Sequence, residues 1–163
     1  MSKQTPLKGL YSPSFEKDSC GFGLIANIDN KPSHWLIKTS ISALARLTHR
    51  GAIAADGKTG DGCGLLLKKP DSFLRSKAAE LNIDLAEQYA AAMVFMRPDE
   101  ATITEEKARF EEIVANQGLN VAGWREVPTD SSACGAEALS TLPAIFQAFI
   151  NAPEGSRVED FER

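Results

Sequence analysis

The chain has 163 residues, 43% of them hydrophobic and 25% charged, with a formal net charge of −4. That is enough chain for one buried core, while its charge, spread along the sequence, supplies neither the basic patch that binds nucleic acid nor one that binds an anionic membrane. No apolar run approaches the roughly 18 residues of a membrane span, residues 1 to 19 lack the apolar centre of a secretory signal, and three cysteines without C-x-x-C spacing specify neither a disulfide framework nor a zinc knuckle. The expectation is a cytoplasmic protein with reduced thiols and no membrane or nucleic-acid partner.

Residues 1–19 carry two prolines and no sustained periodicity, so they read as an irregular leader ending at Cys20. From Gly21 the pattern changes: Phe22, Leu24, Ala26 and Ile28 alternate along one side, which predicts a strand. A turn follows in D-N-K-P. Ser33 is placed to cap a helix running toward His49, with Ile37, Ile41, Leu44 and Ala45 on one face and Gly51 just past its end. A loop with five glycines in fourteen residues, 51–64, then enters the apolar run Leu65 to Leu67, predicted as a strand.

Asp71 stands where it can cap a short helix with Leu74, Ala78 and Leu81 on one face. Residues 89–96, YAAAMVFM, are apolar on both faces, as in a covered sheet. A further helix is predicted from Thr102 or Thr104 to Asn116, stopped by Gly118, and LNVAGWREVP reads as a strand. The apolar run from Ala144 to Ile150 precedes a polar end. By itself this alternation suggests a layered α/β domain and leans toward parallel βαβ units.

Three kinds of chemistry compete for these residues. Gly51-Ala-Ile-Ala-Ala-Asp-Gly57-Lys58-Thr59 nearly spells a phosphate-binding loop, but five residues separate the glycines where four are required, and the loop follows a helix and leads into a strand. His34 and His49 have no partnered cysteine spacing, so each reads as an ordinary histidine rather than a metal ligand. Cys20 remains. It fits a core thiol, half of a Cys–His pair, or a nucleophile exposed at a new chain terminus, where its own α-amino group serves as base. The last option needs no histidine, because unperturbed amine and thiol pKa values of about 7.7–8.0 and 8.5 make proton exchange between them cheap. It does need a removable leader, and residues 1–19 provide one.

Three ordered motifs narrow the choice. Cys20-Gly21-Phe22-Gly23-Leu24-Ile25-Ala26, then residues 43–52 (ALARLTHRGA), then residues 55–64 (ADGKTGDGCG) resemble the opening of the class II glutamine amidotransferase domain of glutamate synthase large subunits. Gly123-Trp124-Arg125-Glu126-Val127-Pro128 and the stretch from Leu142 to Ile150 resemble the same family in order and spacing.

The resemblance implies an α+β, N-terminal-nucleophile hydrolase fold, a four-layer αββα sandwich with largely antiparallel sheets, incomplete in this chain. It divides the sequence into a leader or propeptide, 1–19, and the N-terminal part of the amidotransferase domain, 20–163. It implies that Cys20 attacks the side-chain amide of glutamine, giving a glutamyl thioester and ammonia, and that Arg50 and Gly51 of the H-R-G turn support the active site. Asp56, Asp61 and the neighbouring glycines match a loop of architectural value. Cys63, Cys134, Trp35 and Trp124 read as packing residues.

No cofactor is expected in this chain. The parent enzyme is implied to use FMN, an iron–sulfur cluster and a reduced electron donor. Its partners would be downstream synthase domains of the same polypeptide and, where the donor arrives on another protein, a small electron-donating subunit. One departure matters: related amidotransferases offer oxyanion donors from an Asn-Gly turn, and this chain contains no Asn-Gly dipeptide. The expectation is therefore a piece of a longer glutamate synthase, inactive alone. The alternative is a non-catalytic binding or structural remnant on the same scaffold.

Overall fold

The structure is a computed structural model that describes residues 21–47, 53–60, 62–157 and 161. It comprises two compact units, Met1–Leu65 and Leu66–Arg163.

In the first unit, residues 21–27 form no ladder with other described residues and lead into a turn closed by the Asn30 N–H on the Asn27 carbonyl at 3.0 Å. Asn30 adopts φ 53, a left-handed conformation that asparagine tolerates better than most residues. The strand expected over 21–28 is thus not found: Phe22 is 95% and Ile28 99% exposed. Alternation prepares a strand for two faces, but only a hydrogen-bonded neighbour makes it one. Helix α1, His34–Ala45, follows. Ser33 holds the extended cap backbone, φ −144 and ψ 124, without a side-chain cap bond. The helix stops short of its expected end and tightens into i→i+3 bonds, Arg46 N–H to Ala43 and Leu47 N–H to Leu44. Its apolar stripe has no buried residue to hold a longer helix in place.

The second unit carries the core. Helix α2, Asp71–Ala79, starts one residue earlier than expected, because Pro70 is the cap and Asp71 the first helical residue. Leu74 and Ala78 are buried as the face predicted, whereas Leu81 lies beyond the helix and is about half exposed. Strands β1 (Tyr89–Met96), β2 (Asn120–Glu126) and β3 (Ala144–Asn151) form one sheet of order β1-β3-β2, with both pairings antiparallel. Residues 65–67, expected as a strand, join no ladder with other described residues, and Leu66 is 99% exposed.

The lean toward parallel βαβ units fails in an informative way. Helix α3, Glu100–Asn116, does connect β1 to β2, and those strands run in the same direction because each is antiparallel to β3. They are not neighbours. Strand β3, later in sequence than both, enters the slot between them, a split βαβ arrangement that no local pattern reveals.

Helix α3 begins at Glu100, earlier than expected, because the Asp99 carboxylate accepts the Thr102 N–H at 2.8 Å. Its end matches expectation: Gly118 has φ 74, its N–H meets the Ala115 carbonyl at 2.9 Å, and the Leu119 N–H reaches Val114 at 3.2 Å, a Schellman closure. A short helix α4, Ala136–Ser140, precedes β3.

The two sheet faces are dressed differently. Over one lies α3: the Lys107 ammonium stands 3.7 Å from the centre of the Phe146 ring, Phe110 meets Trp124 edge-on at 5.2 Å, and the Trp124 indole N–H donates to Glu111 at 2.7 Å. On the other, Leu74 and Ala78 of α2 pack with Tyr89 and Phe149, joined by Ile83, Leu85, Ala91 and Ala122.

Polar ties fix that second layer. Arg75 pairs with Asp71 at 3.0 Å and donates to the Ala86 and Glu87 carbonyls at 3.1 and 2.8 Å, while its guanidinium carbon lies 4.8 Å from the Tyr89 ring centre. Lys69 stands on the same ring at 4.1 Å and donates to the Tyr89 carbonyl. Asn151, at the end of β3, accepts from the Ala86 N–H and donates to the Asp84 carbonyl. The loop before β1 is held from both sides.

Candidate active site

Cys20, Arg50 and Gly51, the residues the sequence marks for chemistry, lie outside the described residues, as do His49 and Asp61. The structure describes the frame beside them in the first unit. Helix α1 delivers the chain to Leu47. Beyond Gly51 the glycine loop closes on itself: Ile53 bridges to Gly60, and the Ala54 N–H donates to the Thr59 carbonyl at 2.7 Å.

Asp56 organises that closure. One carboxylate oxygen accepts the Lys58 and Thr59 N–H groups at 2.9 and 2.7 Å, and the other accepts the Thr59 hydroxyl at 2.6 Å. Gly57 takes φ 69 at the apex, a conformation natural for glycine. Asp56 therefore works as a brace, the architectural role expected of it. The loop also lacks the context of a phosphate cradle, since among the described residues no helix begins between it and Asp71.

Cys63 is exposed and Cys134 half-buried, both as free thiols. His34 is exposed at the start of α1. Among the described residues no three His, Cys, Asp or Glu side chains gather as metal ligands. A hollow of about 460 Å³ between α2 and the following turn is lined by Arg75, Ala79, Asn82, Ile83, Asp84 and Leu85. It contains no nucleophile, and its arginine is already committed to backbone carbonyls.

Two polar features of the second unit escaped the sequence reading. At Tyr89 the hydroxyl reaches the Asp71 carbonyl at 3.4 Å. Burial, and then the neighbouring Asp71 carboxylate, push the phenol up to about 12, while the nearby Tyr89 hydroxyl and the Arg75 guanidinium hold the Asp71 carboxyl below its usual range. The second feature crosses the sheet. Arg125 donates to the Gln147 side-chain oxygen Oε1 at 3.4 Å, and the Gln147 side-chain amide donates to the Met93 sulfur at 3.7 Å. The signal was present: glutamine interrupts the apolar run Ala144–Ile150, and arginine the strand GWREVP.

No helix among the described residues is long and apolar enough to cross a membrane. The chain is similar to the glutamate synthase [NADPH] large chain of Bacillus subtilis, 37% identical over 145 residues, covering 89% of this chain and 10% of that protein. It is 37% identical over 150 residues to ferredoxin-dependent glutamate synthase 1 of Arabidopsis thaliana, covering 91% of this chain and 9% of that protein. Over 140 residues it is 41% identical to the ferredoxin-dependent glutamate synthase of Cyanidium caldarium, covering 83% of this chain and 9% of that protein. The chain thus spans about a tenth of the length of these relatives. The family described as glutamine amidotransferases class-II matches residues 20–163, so the match opens on Cys20 itself and takes in the braced glycine loop and the whole sheet, and the chain belongs to the class-II glutamine amidotransferases.

Proposed function

We propose that this chain is the glutamine-hydrolysing part of a glutamate synthase, a longer polypeptide that makes glutamate from glutamine and 2-oxoglutarate. The observation that carries this reading is where the match lies: it begins at Cys20, and the relatives that share it, at 33–41% identity, are glutamate synthases. Removal of residues 1–19 frees the α-amino group of Cys20. That amine takes the thiol proton, and the thiolate attacks the side-chain amide carbon of glutamine. The tetrahedral intermediate collapses to a glutamyl thioester as the protonated amine returns its proton to departing ammonia. Water then hydrolyses the thioester to glutamate and restores the thiol. Arg50 and Gly51, on the H-R-G turn, support the developing negative charge and the nucleophile loop.

On this reading the fold is completed as a four-layer αββα sandwich, of which the described sheet and helix α3 are two adjoining layers. Ammonia passes to synthase domains of the same polypeptide, where flavin, an iron–sulfur cluster and a reduced donor carry out the reduction. No residue of this chain is assigned to those groups. The setting is the cytoplasm.

The test uses the full-length polypeptide. Its mature N-terminus is read by mass spectrometry, and glutaminase activity is compared between wild type and Cys20→Ser. A chain starting at Cys20, with activity abolished in the variant and a glutamine analogue bearing an electrophile coupled to Cys20, supports the reading. Wild-type turnover by Cys20→Ser, or a mature protein that keeps Met1 to Ser19, sinks it.

A further inference from the structure

Asp56 and Gly57 stand side by side at the apex of the glycine loop, and the turn calls for each of them. Gly57 has φ 69, yet a Cβ built there would meet nothing within 4 Å, so the backbone conformation rather than crowding selects glycine. Asp56 supplies the carboxylate that folds the Lys58 and Thr59 N–H groups back onto the turn. The pair so chosen is chemically labile. Without a side chain, Gly57 leaves its amide nitrogen unhindered, and the side-chain carboxyl carbon of the preceding aspartate comes within that nitrogen's reach once the loop opens.

Attack forms a bond from the Gly57 nitrogen to that carboxyl carbon and breaks the carbon's bond to its hydroxyl, which departs as water with the amide proton. The product is a cyclic imide. Water adding at the imide's side-chain carbonyl restores aspartate; adding at the main-chain carbonyl, it leaves the peptide linkage running through the side chain, an isoaspartyl residue with an extra methylene in the backbone. In the folded loop both reactants are engaged. The Gly57 N–H donates to the Ala54 carbonyl at 3.0 Å. One Asp56 oxygen accepts the Lys58 and Thr59 N–H groups at 2.9 and 2.7 Å, and the other accepts the Thr59 hydroxyl at 2.6 Å. Ring closure must break the first bond and turn the carboxyl out of the rest. Thr59 does most of the holding, because its carbonyl also accepts the Ala54 N–H at 2.7 Å, beside the Ile53–Gly60 bridge.

We propose that Asp56-Gly57 is a latent site of covalent modification, isomerisation through a cyclic imide, and that the Thr59 clasp keeps it shut in the folded protein. The isoaspartyl product is a substrate for the kind of carboxyl methyl transfer that recognises such residues. It also carries the carboxyl away from the Lys58 and Thr59 groups that close the loop. The protection belongs to the loop itself and does not depend on the chain's catalytic activity.

Trypsin isolates the pair for measurement: cleavage after Arg50 and Lys58 releases residues 51–58, which hold Asp56-Gly57 and no other Asp-Gly, and the peptide is the same in Thr59 variants. The full-length polypeptide is incubated at neutral pH, folded or unfolded in urea, and digested. Isoaspartyl peptide is separated by chromatography and verified by enzymatic methyl transfer. The folded wild type is expected to accumulate it at least about tenfold more slowly than the unfolded chain, the scale of losing hydrogen bonds to a charged acceptor. Thr59→Val, which removes the hydroxyl donor and keeps the branched shape, should isomerise several-fold faster than folded wild type, while Thr59→Ser, which keeps the hydroxyl, should match it. Equal rates in the folded and unfolded wild type overturn the proposal without recourse to any variant. A folded Thr59→Val protein that isomerises at the wild-type rate overturns the part given to the clasp.

Discussion

Ile83 occupies the space that a side chain at Gly123 would need: a Cβ built there would lie 2.8 Å from the Ile83 Cδ1 and Cγ1 atoms. Two local devices create this approach. After α2, Asn82 takes φ 56 and the Ile83 N–H returns to the Ala78 carbonyl at 2.9 Å, which aims Ile83 at the sheet. On β2 the register slips between Val121 and Gly123, a bulge that turns the strand. Gly123→Ala is therefore expected to destabilise the fold by about 1–3 kcal/mol, the range for forcing an extra methyl into packed surroundings. Denaturant titration measures it. Pairing the change with Ile83→Ala should recover part of the loss, and strict additivity of the two would show that the contact does not matter.

Tyr89 sets an alkaline limit. Its phenol is raised to about 12 by burial and by Asp71, against 10.0 in the unfolded chain. The folded state thus holds its proton more tightly than the unfolded state between those values, so stability conferred by the neutral phenol is intact below pH 10 and falls as pH rises toward 12. Melting curves from pH 9 to 12 should show this decline, and Tyr89→Phe should flatten it while keeping the ring under Lys69 and Arg75. A decline of the same steepness in the phenylalanine variant would move its cause to other groups.

Phe149 carries the core where α2 meets β3. It is fully buried, its ring centre is 6.4 Å from that of Tyr89, and it lies on the central strand. Truncation to alanine removes most of a large side chain at a site fixed by Leu74 and Ala78, so a loss of about 3–5 kcal/mol is expected. Phe149→Leu should cost clearly less. Equal midpoints for wild type and Phe149→Ala in urea would mean that the cluster collapses onto the cavity.

How much of this was legible in the sequence follows from how local each signal is. The end of helix α3 needed only a local signal, Gly118 at its stop, where the Schellman bonds form. Strand β1 announced itself by eight apolar residues and β2 by WREV, but their separation by β3 was not written in either. That depends on a strand some twenty residues farther along choosing the slot between them. Phe22 to Ile28 and Leu65 to Leu67 failed for the opposite reason, since their alternation or apolar run was correct as pattern and found no ladder among the described residues. Asp56 shows a third case: its role is to accept three hydrogen bonds from residues two and three positions on, a local geometry that the sequence supports directly. The nucleophile was different again. Spacing left Cys20 with several roles, and only the resemblance, carried by ordered motifs that the family match later spanned from residue 20, chose among them.

Arg50 offers the sharpest test of the chemistry proposed here, because its two possible duties separate kinetically. If its guanidinium faces charge that develops on the tetrahedral intermediate, Arg50→Lys keeps the positive charge and loses the planar fork, and its effect falls on the chemical step. A decrease in kcat for glutamine hydrolysis of about 10²-fold is expected, with KM within a few-fold of wild type, the pattern of an interaction made in the transition state. The measurement is steady-state ammonia release by the full-length enzyme, with Cys20 labelling by the glutamine analogue as a check that the nucleophile is still presented. Loss of labelling together with kcat would make Arg50 a brace for the nucleophile loop. Unchanged kcat and labelling would remove it from the active site altogether.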